Sequence, residues 1–249
     1  MTFNSKKQLS QFLAEDVGKG DITSNLLPKK RILVKIISRE NAILAGVTYA
    51  KEIFKLKGCN CKILKKDGTK IKPNQTIMII TGNAGNILTC ERTALNLLTR
   101  MSGIATQTNS LVKKIPKKTK LYATRKTAPG LRHFDKEAVE IGGGEKHRLT
   151  LDEMVMIKDN HIAVGDSLSS LIKKTKKKYK KFEVEVENTA DAVLAAKEGA
   201  TIIMLDNFTP AQIKKTIQTL KNMKLRNKVM LEASGGITSK NISKYGQTG

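Results

Sequence analysis

The candidate anion-binding side chains of this chain are concentrated in one stretch, residues 122–161. A short β-like run ends at Thr124 and a short apolar run ends at Ile157. A cationic residue follows each of them directly. Arg125-Lys126 follows the first run, and Lys158 follows the second. Strands of α/β proteins carry their functional side chains at their carboxyl ends. The spacing therefore predicts a converging site for an anionic substrate.

Carboxylates form the second candidate group. Glu183, Glu185 and Glu187 alternate with valines, so they share one face of a predicted strand. If one face of the strand is exposed to solvent, these glutamates simply lie on that face. In a parallel strand, which is covered on both sides, they need cations or hydroxyls as partners. Asp206 ends a later apolar run, where it either caps the next helix or joins the site. Glu185 and Asp206 are therefore candidates for binding a sugar's hydroxyls or a metal.

Two further motifs are less specific. Ser234-Gly235-Gly236 follows the last apolar run and precedes a predicted helix. Glycines there let backbone N–H groups approach a phosphate at a helix N-terminus, although a Gly-Gly pair is also ordinary turn chemistry. Arg92 lies on a long predicted helix, where it either pairs with Glu91 or another surface acid, or reaches an anion in the same or a neighbouring subunit.

The elements that must position these residues are predicted from hydrophobic spacing. The first part of the chain indicates a small, largely antiparallel α+β module, and a long helix over 86–113 follows it, interrupted in its middle by Ser102-Gly103. From residue 118 onward, strands alternate with helices, as in a parallel sheet with crossover helices. The predicted early elements are a helix over 3–14, strands over 32–38, 42–46, 61–64 and 76–80, and a helix over 47–56. The predicted later elements are strands over 119–124, 154–157, 182–187, 201–205 and 228–233, and helices over 134–140, 166–179, 189–198, 209–223 and 239–245.

Polar or charged residues stand at the exit of every predicted later strand, as expected of an α/β barrel. The predicted fold class is α/β, with an open, TIM-like α/β barrel over residues 114–249. An N-terminal α+β sandwich domain over residues 1–113, including the long helix, precedes it.

Composition limits the choice of partner and compartment. The net charge of +24 favours an anionic partner, and nucleic acid is the first alternative. Lysines are spread over the whole chain and aromatic residues make up only 4%, so we expect no nucleic-acid interface; steeply salt-dependent filter binding would favour one. Three cysteines, Cys59, Cys61 and Cys90, do not make a disulfide framework. Without an apolar run of membrane-spanning length or a signal peptide, the sequence predicts a cytoplasmic protein without a membrane partner.

Taken together, the motifs resemble those of the quinolinate phosphoribosyltransferase family, and the resemblance covers nearly the whole chain. The segments that carry it are Glu15-Asp16, Gly20 to Thr23, Glu91 to Asn96, Thr124 to Gly130, Gly142 to Gly144 with His147-Arg148, Ile157 to His161, Glu183 to Glu187, Leu205 to Asn207 and Glu232 to Ile237. The run Lys158-Asp159-Asn160-His161 is more similar to this family than to a molybdenum-associated paralogue that shares the Arg-Lys-Thr and triple-glycine segments.

The resemblance implies transfer of a phosphoribosyl group from phosphoribosyl pyrophosphate to quinolinate with decarboxylation, giving nicotinate mononucleotide, pyrophosphate and CO2 for NAD biosynthesis, with Mg²⁺. It implies that Arg125, His147, Arg148 and Lys158 bind the substrate dicarboxylate. Lys126 would face the pyrophosphate or the reacting centre, and Lys126 and Lys158 would act with Glu185 and Asp206 in catalysis. Glu185 and Asp206 would bind the ribose hydroxyls or position Mg²⁺, and the backbone at Ser234, Gly235 and Gly236 would meet the 5′-phosphate.

The resemblance also implies a homodimer, in which Arg92 is contributed across subunits, and leaves a hexamer open. Members of the family continue beyond the equivalent of Gly249 with a strand, a glycine-containing phosphate loop and closing helices. The expectation is therefore a barrel that is incomplete at its C-terminal end, and the alternative of a catalytically dead dimerisation partner stays open.

Overall fold

The computed structural model describes residues 4–165 and 167–249. The chain divides into two compact units, one of residues 1–112 with 121–146 and the other of residues 113–120 with 147–249. This division assigns 121–146 to the first unit, whereas the sequence predicts one domain boundary after residue 113, so that boundary stays a prediction. The predicted helices over 3–14 and 166–179 each include a residue outside the described part, Phe3 and Asp166.

The first unit contains two antiparallel sheets and four helices within its described residues, in agreement with the predicted α+β module. Strand β5 pairs with β1 and β3 on its two sides, and β2 pairs with β4. In chain order the elements are α1 (Ser5–Val17), a 3₁₀ turn (Ser24–Leu26), β1 (Arg31–Ile37), β2 (Ala42–Ile43), α2 (Val47–Leu56), β3 (Asn60–Ile63), β4 (Lys70–Ile71), β5 (Thr76–Asn83), α3 (Ala84–Val112) and α4 (Arg132–Ile141).

Helix α3 is continuous, and the predicted interruption at Ser102-Gly103 is wrong. The Ser102 hydroxyl is buried, accepts a hydrogen bond from Ala45 N at 3.0 Å and donates one to Ala45 O at 3.1 Å. Serine and glycine are tolerated mid-helix here because Ser102 fixes the chain between β2 and α2 onto the helix.

The triple glycine of the charged stretch serves the packing of the first unit. A Cβ on Gly142 would lie 2.5 Å from Ala105 O of α3, and one on Gly144 would lie 2.7 Å from the Val139 side chain. Gly143 has a φ of +97°, in the left-handed region that favours glycine. The turn after α4 therefore lies against α3 at a distance that no larger residue permits.

The second unit is built on a parallel sheet with the strand order β6-β7-β8-β9. Crossover helices connect its strands, as the predicted α/β fold class requires. The elements are β6 (Val155–Ile157), α5 (Asp159–Val164), α6 (Leu168–Lys178), β7 (Phe182–Val186), α7 (Thr189–Glu198), β8 (Ile202–Asp206), α8 (Pro210–Asn222), a 3₁₀ turn (Arg226–Lys228), β9 (Met230–Ser234) and α9 (Ile242–Gly246).

One face of this sheet carries the core of the second unit. Val184, Val186, Ile203 and Leu205 point to that face and pack with buried residues of α6, α7 and α8. Because side chains alternate along a strand, the residues between them point to the opposite face. The opposite face is therefore where the predicted carboxylates must lie.

The core packing gives a first prediction. Ile203 in β8 is fully buried, and we expect Ile203→Ala to lower the free energy of unfolding by about 2–5 kcal/mol, through lost transfer energy and a residual cavity. Leu151→Ala is the control, because Leu151 is 67% exposed. Urea denaturation of both variants measures the difference; equal midpoints would contradict this core assignment.

One predicted strand needs correction, and two short elements were not predicted. The strand predicted over 119–124 is only a bridge between Tyr122 and Glu145, because backbone pairing with that segment stops after two hydrogen bonds, Ala123 N to Glu145 O and Glu145 N to Leu121 O. Helix α5 and strand β4 were not predicted, because they are too short to show a hydrophobic period.

Within the described residues, no helix is long and apolar enough to cross a membrane.

Candidate active site

The parallel sheet places the predicted carboxylates on one face. Glu183 and Glu185 alternate with core valines, and the register aligns Glu185 with Met204 of β8. Asp206, two residues after Met204, has the same orientation. Met204 is aligned in turn with Glu232 of β9, so Glu232 and Ser234 also share this face. The carboxyl half of the sheet is thus acidic on the side opposite its core.

Lys158 and Glu185 form an ion pair at this edge. Lys158 is the N-cap of α5 and follows β6 directly, and its Nζ donates to Glu185 Oε2 on the neighbouring strand. The Glu185 side chain is only 15% exposed. The three glutamates of the strand therefore differ: Glu183 is buried beside His147, Glu185 is part-buried and paired with Lys158, and Glu187 is exposed.

His147 lies between two further carboxylates of the same face. Its Nε2 is 3.2 Å from Glu183 Oε2 and 3.5 Å from Glu232 Oε2. These two carboxylates raise the pKa of His147 to about 9 against the opposing effect of burial. On the other side of the ring, Nδ1 accepts the Arg148 N–H at 2.8 Å, which an imidazolium could not do. The raised pKa and this contact agree on a proton at Nε2, between the carboxylates, but disagree over Nδ1; the short contact from Arg148 N leaves no room for a second proton there.

Arg148 is held beside β6. Its Nη1 donates to Met154 O at 2.8 Å, and its Nη2 lies 3.3 Å from Met156 Sδ. Met156 is aligned with Glu183 in the register of β6 and β7, and so belongs to the acidic face. The guanidinium is half-buried and fixed at the strand end, where a planar carboxylate could replace one of its contacts.

Asp206 does not cap the next helix, because the N-cap of α8 is Thr209, whose hydroxyl accepts from Gln212 N. Asp206 Oδ2 accepts from Asn207 Nδ2 at 2.8 Å, and Asn207 N donates to Ser234 O at 2.9 Å. A Cβ on Gly235 would lie 2.1 Å from Asn207 Oδ1, and the φ of Gly235 is +83°. Glycine is therefore required where the ends of β8 and β9 meet.

The backbone after Gly235 differs from the predicted phosphate site at a helix N-terminus. Gly236 has a φ of +62°, and its carbonyl accepts from Asn241 Nδ2 at 3.0 Å. Helix α9 begins only at Ile242, so residues 237–241 separate the glycines from it. A role of Ser234, Gly235 and Gly236 toward a phosphate stays a prediction.

The other predicted site residues belong to the first unit. Arg125 follows the Tyr122 bridge, and its buried Nε makes no hydrogen bond within the described residues. Lys126 is exposed, and its backbone N–H donates to Thr124 Oγ1 at 3.1 Å. Arg92 is exposed on α3 and makes no ion pair within the described chain, so the expected pair with Glu91 does not form.

Two sets of residues have donor atoms for a cation. Glu185 and Asp206 offer carboxylate oxygens on one face, which suits Mg²⁺, although an ion bound at Glu185 would share that group with Lys158. His147, Glu183 and Glu232 also bring one donor atom each within 4.8 Å of one another. Here the ring proton of His147 lies between the two carboxylates, and a metal at this second set would have to displace it.

Sequence reasoning missed Glu232 and Asn207. The acid inside the apolar run Val229 to Ala233 was a usable signal for Glu232, because a charge in a buried strand needs a partner. Asn207 gave no such signal, since its side chain acts through Asp206 and Gly235, which are neighbours only in the folded sheet.

Two family models match the chain. The model described as "Quinolinate phosphoribosyl transferase, N-terminal domain" matches residues 21–102, and "Quinolinate phosphoribosyl transferase, C-terminal domain" matches residues 104–249. Together the two matches include every predicted site residue.

Individual relatives agree with these matches. A protein from Archaeoglobus fulgidus named "Probable nicotinate-nucleotide pyrophosphorylase [carboxylating]" is 44% identical over 91% of this chain and 88% of its own length. A protein of the same name from Methanothermobacter thermautotrophicus is 41% identical over 97% of this chain and 89% of its own length. The solved structure of the nicotinate-nucleotide pyrophosphorylase from Francisella tularensis superposes with a TM-score of 0.91, at 38% identity over 98% of this chain and 88% of that one.

Proposed function

Because the chain belongs to the quinolinate phosphoribosyltransferase family, we propose that it transfers the phosphoribosyl group of phosphoribosyl pyrophosphate to quinolinate. Pyrophosphate and CO2 are released, and the product is nicotinate mononucleotide, a precursor of NAD. The observation that carries this proposal is the coincidence of the two family matches with a sheet face on which Lys158, Glu185 and Asp206 meet.

The acidic face suits the sugar half of the reaction. As pyrophosphate leaves, positive charge develops at ribose C1, and the quinolinate ring nitrogen forms the new bond there. Carboxylates of Glu185 and Asp206 beneath the ring stabilise that charge and accept hydrogen bonds from the ribose hydroxyls. Lys158 pairs with Glu185 and so supplies a positive charge beside this carboxylate.

The basic groups suit the diacid half. Arg148 binds a quinolinate carboxylate through its planar fork, and each charge-assisted bond contributes about 1.5–3 kcal/mol. When the carboxylate beside the ring nitrogen leaves as CO2, its electron pair stays on the ring carbon and a proton replaces it. The ammonium group of Lys158 lies at this edge of the sheet, and it stabilises the electron-rich ring. The roles of Arg92, Arg125, Lys126 and His147 rest on the family resemblance and stay predictions.

Mg²⁺ is the proposed cofactor. Glu185 and Asp206 would hold it, and the ion would neutralise charge on the departing pyrophosphate. The donor atoms fit, because both are carboxylates that project from one sheet face.

A homodimer is the proposed assembly, and the start of α3 offers a surface for it. Thr89 Oγ1 donates to Asp21 Oδ2 at 2.9 Å, which fixes the segment containing Ile22 and Leu26 beside that helix. Ile22 is 81% exposed and Leu26 85%, and Leu88 is exposed one helical turn before Arg92. Exposed apolar side chains at the same end of α3 as an arginine that makes no ion pair within the described residues support contact with a second subunit to which Arg92 contributes.

The dimer proposal predicts the effect of a charge among these exposed apolar side chains. We expect Leu26→Asp to shift the protein from dimer to monomer in sedimentation equilibrium, because the buried carboxylate would lack a partner. Leu64→Asp, at another exposed leucine of the first unit, should leave the dimer intact. A monomeric wild type would contradict the proposal, and a hexameric one would extend it.

The proposed compartment is the cytoplasm. Cys59, Cys61 and Cys90 are free thiols, as expected in a reducing compartment. Burial raises the pKa of Cys61 to about 11 and that of Cys90 to about 12, so neither is an activated thiol.

The test of the function follows the carbon that leaves. Quinolinate labelled in the carboxylate beside the ring nitrogen should release labelled CO2 only when phosphoribosyl pyrophosphate and Mg²⁺ are present, together with nicotinate mononucleotide. Absence of release from a protein that still binds quinolinate would favour the catalytically dead dimerisation partner.

A further inference from the structure

Glu183 is a buried carboxylate for which the proposed reaction has no use. It is fully buried within β7, two residues before Glu185 on the same face. Neither of its oxygens makes a well-aligned hydrogen bond within the described residues. The titratable side chain beside it is that of His147, whose Nε2 lies 3.2 Å from Glu183 Oε2. Burying a carboxylate with so little hydrogen bonding costs several kcal/mol, so the residue is costly if its purpose is stability alone.

The ring that Glu183 contacts is fixed on both of its edges. Nδ1 of His147 accepts the Arg148 N–H, which leaves the ring proton on Nε2, facing Glu183 and Glu232. Removing the negative charge on that side removes the preference for this tautomer. In the other tautomer, Nδ1–H and the Arg148 N–H would be two donors facing each other.

The backbone at His147 links the ring to Arg148. His147 has a φ of +53°, in the left-handed region, which costs a residue with a side chain about 1–2 kcal/mol. The contacts of the ring offset this cost. The next residue, Arg148, leaves this turn and places its guanidinium against Met154 O and Met156 Sδ beside β6. The conformation at His147 therefore sets where the Arg148 side chain begins.

We propose that Glu183 is a positioning residue: through His147 it fixes the turn that aims Arg148 at a carboxylate of quinolinate. Glu232 assists from β9 at the longer distance of 3.5 Å. Glu183 itself contacts no substrate. The inference rests on the proposed function, because it assumes that Arg148 binds the diacid.

The test separates positioning from simple structural support. Glu183→Gln keeps the size of the side chain and removes its charge. We expect it to raise KM for quinolinate about tenfold, the effect of roughly 1.4 kcal/mol, with KM for phosphoribosyl pyrophosphate and kcat unchanged within about twofold. Thermal stability is measured in parallel, because removing one partner of a buried pair lowers stability whatever its function, whereas only a positioning role raises KM for quinolinate selectively. Glu232→Gln should give the same pattern with a smaller rise in KM for quinolinate. It serves as the test variant if Glu183→Gln does not fold.

A double-mutant cycle decides the route. If Glu183 acts through Arg148, Glu183→Gln should add less than about twofold to the KM for quinolinate in an Arg148→Ala background. A full additional rise there, or an equal rise in KM for the phosphoribosyl donor, would overturn the proposal. Stoichiometric Zn²⁺ binding by the wild type that Glu183→Gln abolishes would also overturn it and reassign the cluster as a metal site. A wild type that neither binds nor turns over quinolinate refutes the proposed function instead, and this inference with it.

Discussion

Replacing Arg148 by alanine should raise the quinolinate requirement of the enzyme about 100-fold or more, with little change in thermal stability. Two charge-assisted hydrogen bonds to one carboxylate contribute about 3 kcal/mol or more together, and 2.7 kcal/mol corresponds to a factor of 100. In this structure the guanidinium donates to Met154 O and to Met156 Sδ, and it is half-buried. Its loss therefore weakens the folded state by about 1 kcal/mol.

Arg226 provides the matched control for this experiment. Its Nη1 also donates to a backbone carbonyl, that of Val229, at 3.1 Å, but nothing in the resemblance assigns it to the site. Arg226→Ala should leave the binding of quinolinate unchanged in a calorimetric titration, and Arg148→Lys should recover only part of the affinity, since lysine lacks the planar fork. Unaltered quinolinate binding by Arg148→Ala would reject the assigned role.

The second large effect is expected at Glu185. Glu185→Gln should reduce kcat about 100- to 1,000-fold, because the amide no longer stabilises the positive charge that develops at ribose C1. KM for quinolinate should change little, since the effect lies in the transition state. Loss of the carboxylate also leaves Lys158 without its partner, and that ammonium is partly exposed to water. We therefore expect only a small change in the free energy of unfolding.

Glu198 is the control for Glu185. It is a carboxylate of similar exposure, 17% compared with 15%, and it is also paired with a lysine, Lys173, but it lies on α7. Glu198→Gln should leave kcat unchanged, as measured by initial rates of labelled CO2 release at saturating substrates. Equal losses in the two variants would mean that general destabilisation, and no catalytic role, explains the effect.

The sequence predicted β6 and β8 of the parallel sheet well because both are continuous apolar runs. Val155–Ile157 and Ile202–Asp206 are recognisable since crossover helices cover them and leave no polar alternation. The run at 119–124 has the apolar centre Leu121-Tyr122-Ala123 but forms only one bridge, because strand formation depends on a partner that the sequence does not reveal.

The sequence predicted which residue types form the candidate site, but it did not predict which of them contact one another. Alternation showed that Glu183, Glu185 and Glu187 share a face, but depth in the sheet decides their roles, and depth depends on where β7 lies relative to its neighbours. As a result Glu183 is buried against His147, Glu185 pairs with Lys158, and Glu187 is exposed. The ring contacts of His147 required a left-handed backbone that no local pattern indicated.

A crystal structure with bound quinolinate tests the central claim most directly. We expect a carboxylate of the diacid within hydrogen-bonding distance of the Arg148 guanidinium, beside Lys158, on the sheet face that carries Glu185 and Asp206. Quinolinate bound on the helix-covered face, or away from the carboxyl ends of β6 to β9, would contradict it.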